Sequence, residues 1–133
     1  MWLLKTEPGE YAYDDLEREG RGVWDGVRNP AALANLRAMA KGDRALVYHT
    51  GAEKAVVGVA EVVRPAYPDP RARNPKLVVV ELEPRSRLER KVTLAELKSL
   101  PEFAASPLVR QGRLSVVPLT AQQWRAIESR GRR

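Results

Sequence analysis

Two valine-rich runs, Arg44 to Thr50 and Val56 to Val63, are separated only by Gly51 to Ala55. A parallel crossover needs roughly a dozen residues or more, so these runs can pair only as an antiparallel hairpin. The other apolar runs are equally short. Met1 to Thr6 reads as a strand stopped by Pro8 and Gly9, and Leu114 to Val117 as a last strand. Leu77 to Glu83 reads as a strand whose unbroken valines suit burial on both faces. Between the hairpin and that strand, "RPAYPDPRARNP" (Arg64 to Pro75) places four prolines in one stretch and reads as a loop.

Helix signals fall between the strands. Asp14 and Glu17 have capping-box spacing, which predicts a short helix through Glu19 stopped by Gly20 and Gly22. Trp24 then lies on a short turn of chain. Asn29 is placed as an N-cap with Pro30 at the first helical position, and Ala32, Leu33, Leu36 and Met39 recur at helical spacing toward Gly42. Thr93 with Glu96 and Thr120 with Gln123 predict helices starting at Leu94 and Ala121. Five or so strands and three or four short helices, with no repeated strand–helix–strand unit, give an α+β class: a small, mostly antiparallel β-barrel with short helices on its rim.

The chain is expected to be one domain over residues 1–133, with no internal repeat or linker. Its end, Arg130 to Arg133, is a basic tail and a candidate for disorder. No apolar run approaches the roughly 20 residues of a membrane span and no signal segment leads the chain, so the expectation is a soluble, cytoplasmic protein, a monomer by default. With no cysteine and one histidine, disulfides, thiolate metal ligands and multi-histidine zinc sites are excluded. No P-loop or dinucleotide fingerprint is present, so neither cofactor nor metal is expected. A net charge of +6 favours polyanionic partners, although Arg130, Arg132 and Arg133 supply half of it. The excess of arginine over lysine suits bidentate contact with phosphates or base edges, and equally reflects a GC-rich genome.

Three groups of residues can carry chemistry. In "WDGVRNP", Trp24 is either a core aromatic or a stacking platform for a base, Arg28 a phosphate contact or a surface ion pair, and Asn29 a helix cap whose carboxamide can also read a base edge. In "LLKTEP", Lys5, Thr6 and Glu7 follow an apolar strand, but alternation sets Lys5 and Glu7 on one face and Thr6 on the other. In "VYHTG", His49 and Thr50 close a strand, and the histidine reads as an acid–base group or as a hydrogen-bonded structural residue.

Taken in order, "WLLKTEP", "YDDL", "WDGVRNPAALANLRAMAKGDRALVYHTG", "VVGVAEVVRPAYPDP", "LAELK" and "LSVVPLTAQQW" resemble the EVE domain family over essentially the whole chain. That resemblance implies a PUA-like fold, related to the YTH and ASCH domains, and a pocket for a modified base in DNA or RNA, of the methylated cytosine or adenine type. It implies Lys5 and Thr6 on one wall, Trp24, Arg28 and Asn29 on another, and Tyr48, His49 and Thr50 facing them. Family members commonly carry a longer stretch after "AYPDP" that ends in an aromatic residue. Here Arg71 to Lys76 and Leu77 replace it, leaving Tyr67 as the candidate second aromatic wall. Two alternatives stand beside a non-enzymatic reader: an ASCH-like amidohydrolase of a modified nucleoside using Lys5, Thr6 and Glu61 or Glu7, and a general PUA-type RNA-binding module.

Overall fold

The computed structural model describes residues 1–132. Six strands, β1 (Trp2–Thr6), β2 (Gly22–Trp24), β3 (Arg44–His49), β4 (Ala55–Pro68), β5 (Val78–Thr93) and β6 (Val116–Pro118), form one sheet in the order β2-β5-β4-β3-β1-β6. Five short helices flank it: α1 (Tyr13–Glu19), α2 (Pro30–Ala38), α3 (Leu94–Lys98), α4 (Pro107–Arg110) and α5 (Ala121–Arg130), with a 3-10 turn at Pro101–Phe103. All neighbouring strands run antiparallel except β1 and β3, which are parallel. The expected α+β, mostly antiparallel architecture is the one observed, curled into a half-barrel. No helix among the described residues is long and apolar enough to cross a membrane.

Local chemistry fixes the helix starts. Asn29 Oδ1 accepts from Ala31 N at 2.9 Å and Ala32 N at 3.1 Å, with Pro30 at the first helical position. Thr93 and Thr120 form capping boxes with Glu96 and Gln123. Helix α1 departs from expectation: its N-cap is Ala12 rather than Asp14, and Asp15 rather than Glu17 reaches back, accepting from Ala12 N at 2.8 Å. Asp14 instead faces outward and pairs with Arg87 at 2.7 Å.

Two strand boundaries also differ. Strand β4 runs on through Arg64 to Pro68, so the proline-rich segment is a loop only from Asp69. The prolines are tolerated because β3 begins at Arg44, opposite Glu61, leaving the stretch of β4 beyond it an edge, and because the register against β5 slips between Arg64 and Tyr67. Leu77 to Glu83 proves to be the start of a much longer strand, β5, while the last strand is shifted to Val116–Pro118. Gly22–Trp24 forms strand β2 instead of a turn, paired with Val80 to Leu82.

The core fills the concave side. Tyr13 lies flat against Gly58, where an added Cβ would come within 2.6 Å of its ring, and its hydroxyl donates to Val59 O at 2.7 Å. Of the basic tail, Arg130 and Gly131 are held rather than free: Arg90 Nε donates to Arg130 O at 3.1 Å and Arg90 N to Gly131 O at 3.0 Å. Arg133 lies outside the described residues.

Candidate functional site

Parallel pairing of β1 with β3 sets Lys5 opposite Tyr48 and Thr6 opposite His49. Cross-strand neighbours share a face, so Lys5 and Tyr48 point to one side of the sheet and Thr6 and His49 to the other. The sequence-predicted site is therefore divided in two.

On the Lys5 side, Lys5, Tyr48, Thr50 and Gly51 line a cavity of about 180 Å³ that Lys54, Leu94, Leu108 and Gly112 complete. Lys5 Nζ donates to Gly112 O at 3.0 Å and lies 5.8 Å from the Tyr48 ring centroid. Burial lowers the Lys5 ammonium pKa below its ordinary 10.5 and raises that of the Tyr48 phenol above 10.0. Tyr48 is only 3% exposed, yet its hydroxyl has no partner among the described residues. Since no fully enclosed side-chain oxygen or nitrogen goes unbonded among the described residues, and Tyr48 lines the cavity, that hydroxyl opens onto it.

The Thr6 side is closed. Thr6 Oγ1 donates to Tyr11 O at 2.7 Å. His49, 5% exposed, accepts from Tyr13 N at Nε2 (3.0 Å), which places its proton on Nδ1 against Glu53 Oε1 at 2.7 Å. It ties β3 to α1 and does not line the cavity on the Lys5 side. Trp24 is 6% exposed and meets Tyr11 edge-on, with ring centroids 6.0 Å apart at 87°. Burial and a hydrogen bond to Glu19 hold the Tyr11 phenol in its neutral form, its pKa well above the usual value. Trp24 pairs with Val80, whereas Tyr67 pairs with Val79 and therefore points to the opposite face. There Tyr67 donates to Glu81 Oε2 at 2.6 Å beneath the Arg64 guanidinium, 3.7 Å from its ring. Tyr67 cannot face Trp24.

The open ground beside Trp24 lies in the residues that follow it. Asp25 to Arg28 face Asp69, Arg71, Ala72, Leu77 and Val78 across a concavity of about 260 Å³. A neighbouring hollow of about 280 Å³ lies between Arg28, Arg37 and Lys76. Asp69 and Asn74 hold the loop, accepting from Arg71 N and Lys76 N, and Asp69 N closes it onto Leu77 O, each at 2.9 Å. Among the described residues Arg28, Arg37, Arg71, Arg73 and Lys76 form no ion pair, whereas Arg21, Arg64, Arg85, Arg87 and Arg90 all do. Five such cations thus cluster on the 69–77 loop and at the two ends of α2, while others, among them Lys5, Arg44, Lys54 and Arg125, lie elsewhere on the surface. Asn29, exposed at that helix start, spends its carboxamide oxygen on the cap and keeps its NH2 free.

Sequence reasoning missed Lys54 and the basic loop. The density of arginine and turn residues in "DPRARNP" was the available signal for the loop. The residues named for amide hydrolysis do not converge: Lys5 and Thr6 lie on opposite faces, and Glu61 pairs with Arg85 at 3.3 Å near the other end of β3.

A family model of the EVE domain matches residues 1–130. The chain belongs to the EVE family. This EVE domain is 31% identical to human thymocyte nuclear protein 1 over 92% of its own length and 70% of the relative's. An NMR structure of a Rhodopseudomonas palustris protein is 40% identical, with a TM-score of 0.91 over 98% of this chain and 91% of that one. Human thymocyte nuclear protein 1 (THYN1), in a crystal structure with DNA containing 5-methylcytosine, is 30% identical with a TM-score of 0.87, over 99% and 97% of the two chains. An ASCH protein from Zymomonas mobilis, 14% identical with a TM-score of 0.61 over 96% and 93% of the two chains, shares the fold.

Proposed function

We propose that this EVE domain binds nucleic acid at the concave face between Asp25–Asn29 and the 69–77 loop, and that it reads there a modified base of the 5-methylcytosine type without chemical turnover. The observation that carries the reading is the human THYN1 complex with DNA containing 5-methylcytosine, because the similarity to it spans 99% of this chain. The local chemistry agrees with it. Arg28 and Arg71 line the concavity without carboxylate partners and can take phosphates bidentately. Asn29 offers only N–H donors beyond its cap, so it suits an acceptor edge such as the carbonyl and ring nitrogen of cytosine. Trp24 directly precedes the lining residues Asp25–Arg28, and because it is only 6% exposed, stacking a base on its ring requires part of its packing to be uncovered. Across from Asp25–Arg28, Ala72, Leu77 and Val78 give the wall an aliphatic part beside Asp69 and Arg71 and no aromatic one, which suits a methyl group. Extruding the base from a duplex costs a few kcal/mol, so single strands should bind more tightly than duplexes.

The test is a fluorescence-anisotropy titration with single-stranded and duplex oligonucleotides carrying cytosine or 5-methylcytosine. Tighter binding of the methylated strand is expected, weakened by Trp24→Ala and by Asn29→Asp, which keeps the helix cap but replaces the NH2 donor with an anion. Equal affinity for both strands, unaffected by Asn29→Asp, would refute base reading. Equal affinity with a steep salt dependence would favour a general nucleic-acid binder.

A further inference from the structure

The cavity on the Lys5 face is separate from the surface just described, because it shares no lining residue with the hollows between Asp25–Arg28, α2 and the 69–77 loop. We infer that it is a second binding site, one that takes a phosphate monoester. Four observations carry this. Lys5 and Lys54 both line it, and neither has an ion pair among the described residues. Glu7, whose carboxylate packs on Gly51, forms no ion pair with either ammonium and is occupied with Gly9 N at 2.9 Å and Thr50 Oγ1 at 3.4 Å. The Tyr48 hydroxyl, carried by a buried side chain, opens into the cavity unpartnered. Finally, Lys54 is the one non-glycine residue with positive φ among those described, at 46°.

That last feature separates a built site from a chance pair of surface lysines. A left-handed lysine is disfavoured where glycine would fit without cost, and Gly51, three residues earlier in the chain, already supplies that solution at φ 75°. The turn is held in place because Lys54 O accepts from Leu94 N at 2.8 Å, which docks it on the start of α3. The strained backbone therefore keeps the Lys54 side chain on the same cavity as Lys5. Two uncompensated ammonium groups match the dianion of a phosphate monoester, while the phenol, which burial keeps neutral, donates a hydrogen bond. Leu94 and Leu108 offer apolar contact to the body that carries the phosphate.

Amide NMR shifts test this directly, with cytidine 5′-monophosphate, cytidine, a 5′-phosphorylated tetranucleotide and its unphosphorylated twin as probes. The phosphorylated probes should shift Thr50, Gly51, Lys54, Leu108 and Gly112, and the unphosphorylated ones should not. Equal response to both phosphorylated probes identifies a free nucleotide or similar small molecule as the source of the phosphate. Response to the tetranucleotide alone identifies a strand end. Lys5→Met should weaken phosphate binding at least tenfold. Lys54→Gly should weaken it several-fold while raising the melting temperature, a combination that a purely structural lysine would not give. Shifts confined to Arg28, Arg71 and Lys76, or phosphate affinity unchanged in both variants, would overturn the proposal. Because the two surfaces report through different amides, its failure leaves the reading of the modified base untouched.

Discussion

Gly58→Ala offers the sharpest test of how the core is built. An alanine Cβ at this position would fall 2.6 to 2.8 Å from three atoms of the Tyr13 ring, where ordinary contact begins at 3.4 Å. The ring would therefore have to retreat by about 0.8 Å. It has little freedom to do so. Tyr13 is 1% exposed, its hydroxyl lies 2.7 Å from Val59 O and 3.1 Å from Ser86 O, and its backbone N–H is committed to His49. Overpacking costs about 1–3 kcal/mol, and loosening the buried hydroxyl about 1–3 kcal/mol more. The expected loss is thus about 2–6 kcal/mol, a large share of the roughly 5–15 kcal/mol that holds a domain folded. In a thermal scan this is a fall on the order of 10 °C. Urea unfolding followed by tryptophan fluorescence measures it, and repeating the substitution in a Tyr13→Leu background isolates the contact. There the cost of alanine should shrink to about 1 kcal/mol or less. A cost below about 0.5 kcal/mol in the parent, or the same cost in both backgrounds, would refute the argument.

Asn29→Ala should destabilise by about 1 kcal/mol, whereas Asn29→Asp should leave the melting temperature nearly unchanged because its carboxylate still caps α2. Glu96 has its carboxyl pKa lowered to about 2, first by Arg90, then by Thr93 N and Arg130. A depressed folded-state value stabilises above the unfolded value near 4.5 and is lost as pH falls toward 2. Glu96→Gln should therefore cost about 1 kcal/mol at neutral pH, after allowing for a side chain that is 22% exposed, with the difference closing between about pH 4.5 and 2 in acid titrations of stability. Arg28→Ala and Arg71→Ala should each lower the slope of log K against log salt for oligonucleotide binding by about 1; an unchanged slope would remove them from the phosphate contacts.

What was legible in the sequence was local. The caps at Asn29, Thr93 and Thr120 depend on residues two or three positions away, and the hairpin between β3 and β4 on a short gap, so pattern alone sufficed. The division of Lys5 from Thr6 was legible too, because alternation along β1 is a backbone property. Strand β2 was not: three residues become a strand only because Val80 to Leu82 lie beside them. The continuation of β4 through Pro65 and Pro68 was hidden because the edge and the register slip that tolerate those prolines are tertiary facts. The orientation of Tyr67 depends on that same slip. Trp24 read as either core or platform, and its burial against Tyr11 shows that the open surface belongs to its successors, Asp25 to Arg28.

The position of β1 also bears on how such a chain emerges from the ribosome. Trp2 to Leu4 hydrogen-bond on one edge to β3 and on the other to Val116–Pro118. At synthesis rates of about 5–20 residues per second, that second edge stays bare for several seconds after β1 and β3 are available to pair. Leu3 and Leu4, fully buried in the finished protein, lie along that open edge throughout the interval. The nascent polypeptide is thus most vulnerable to edge-to-edge association at its first strand, until the last strand is made.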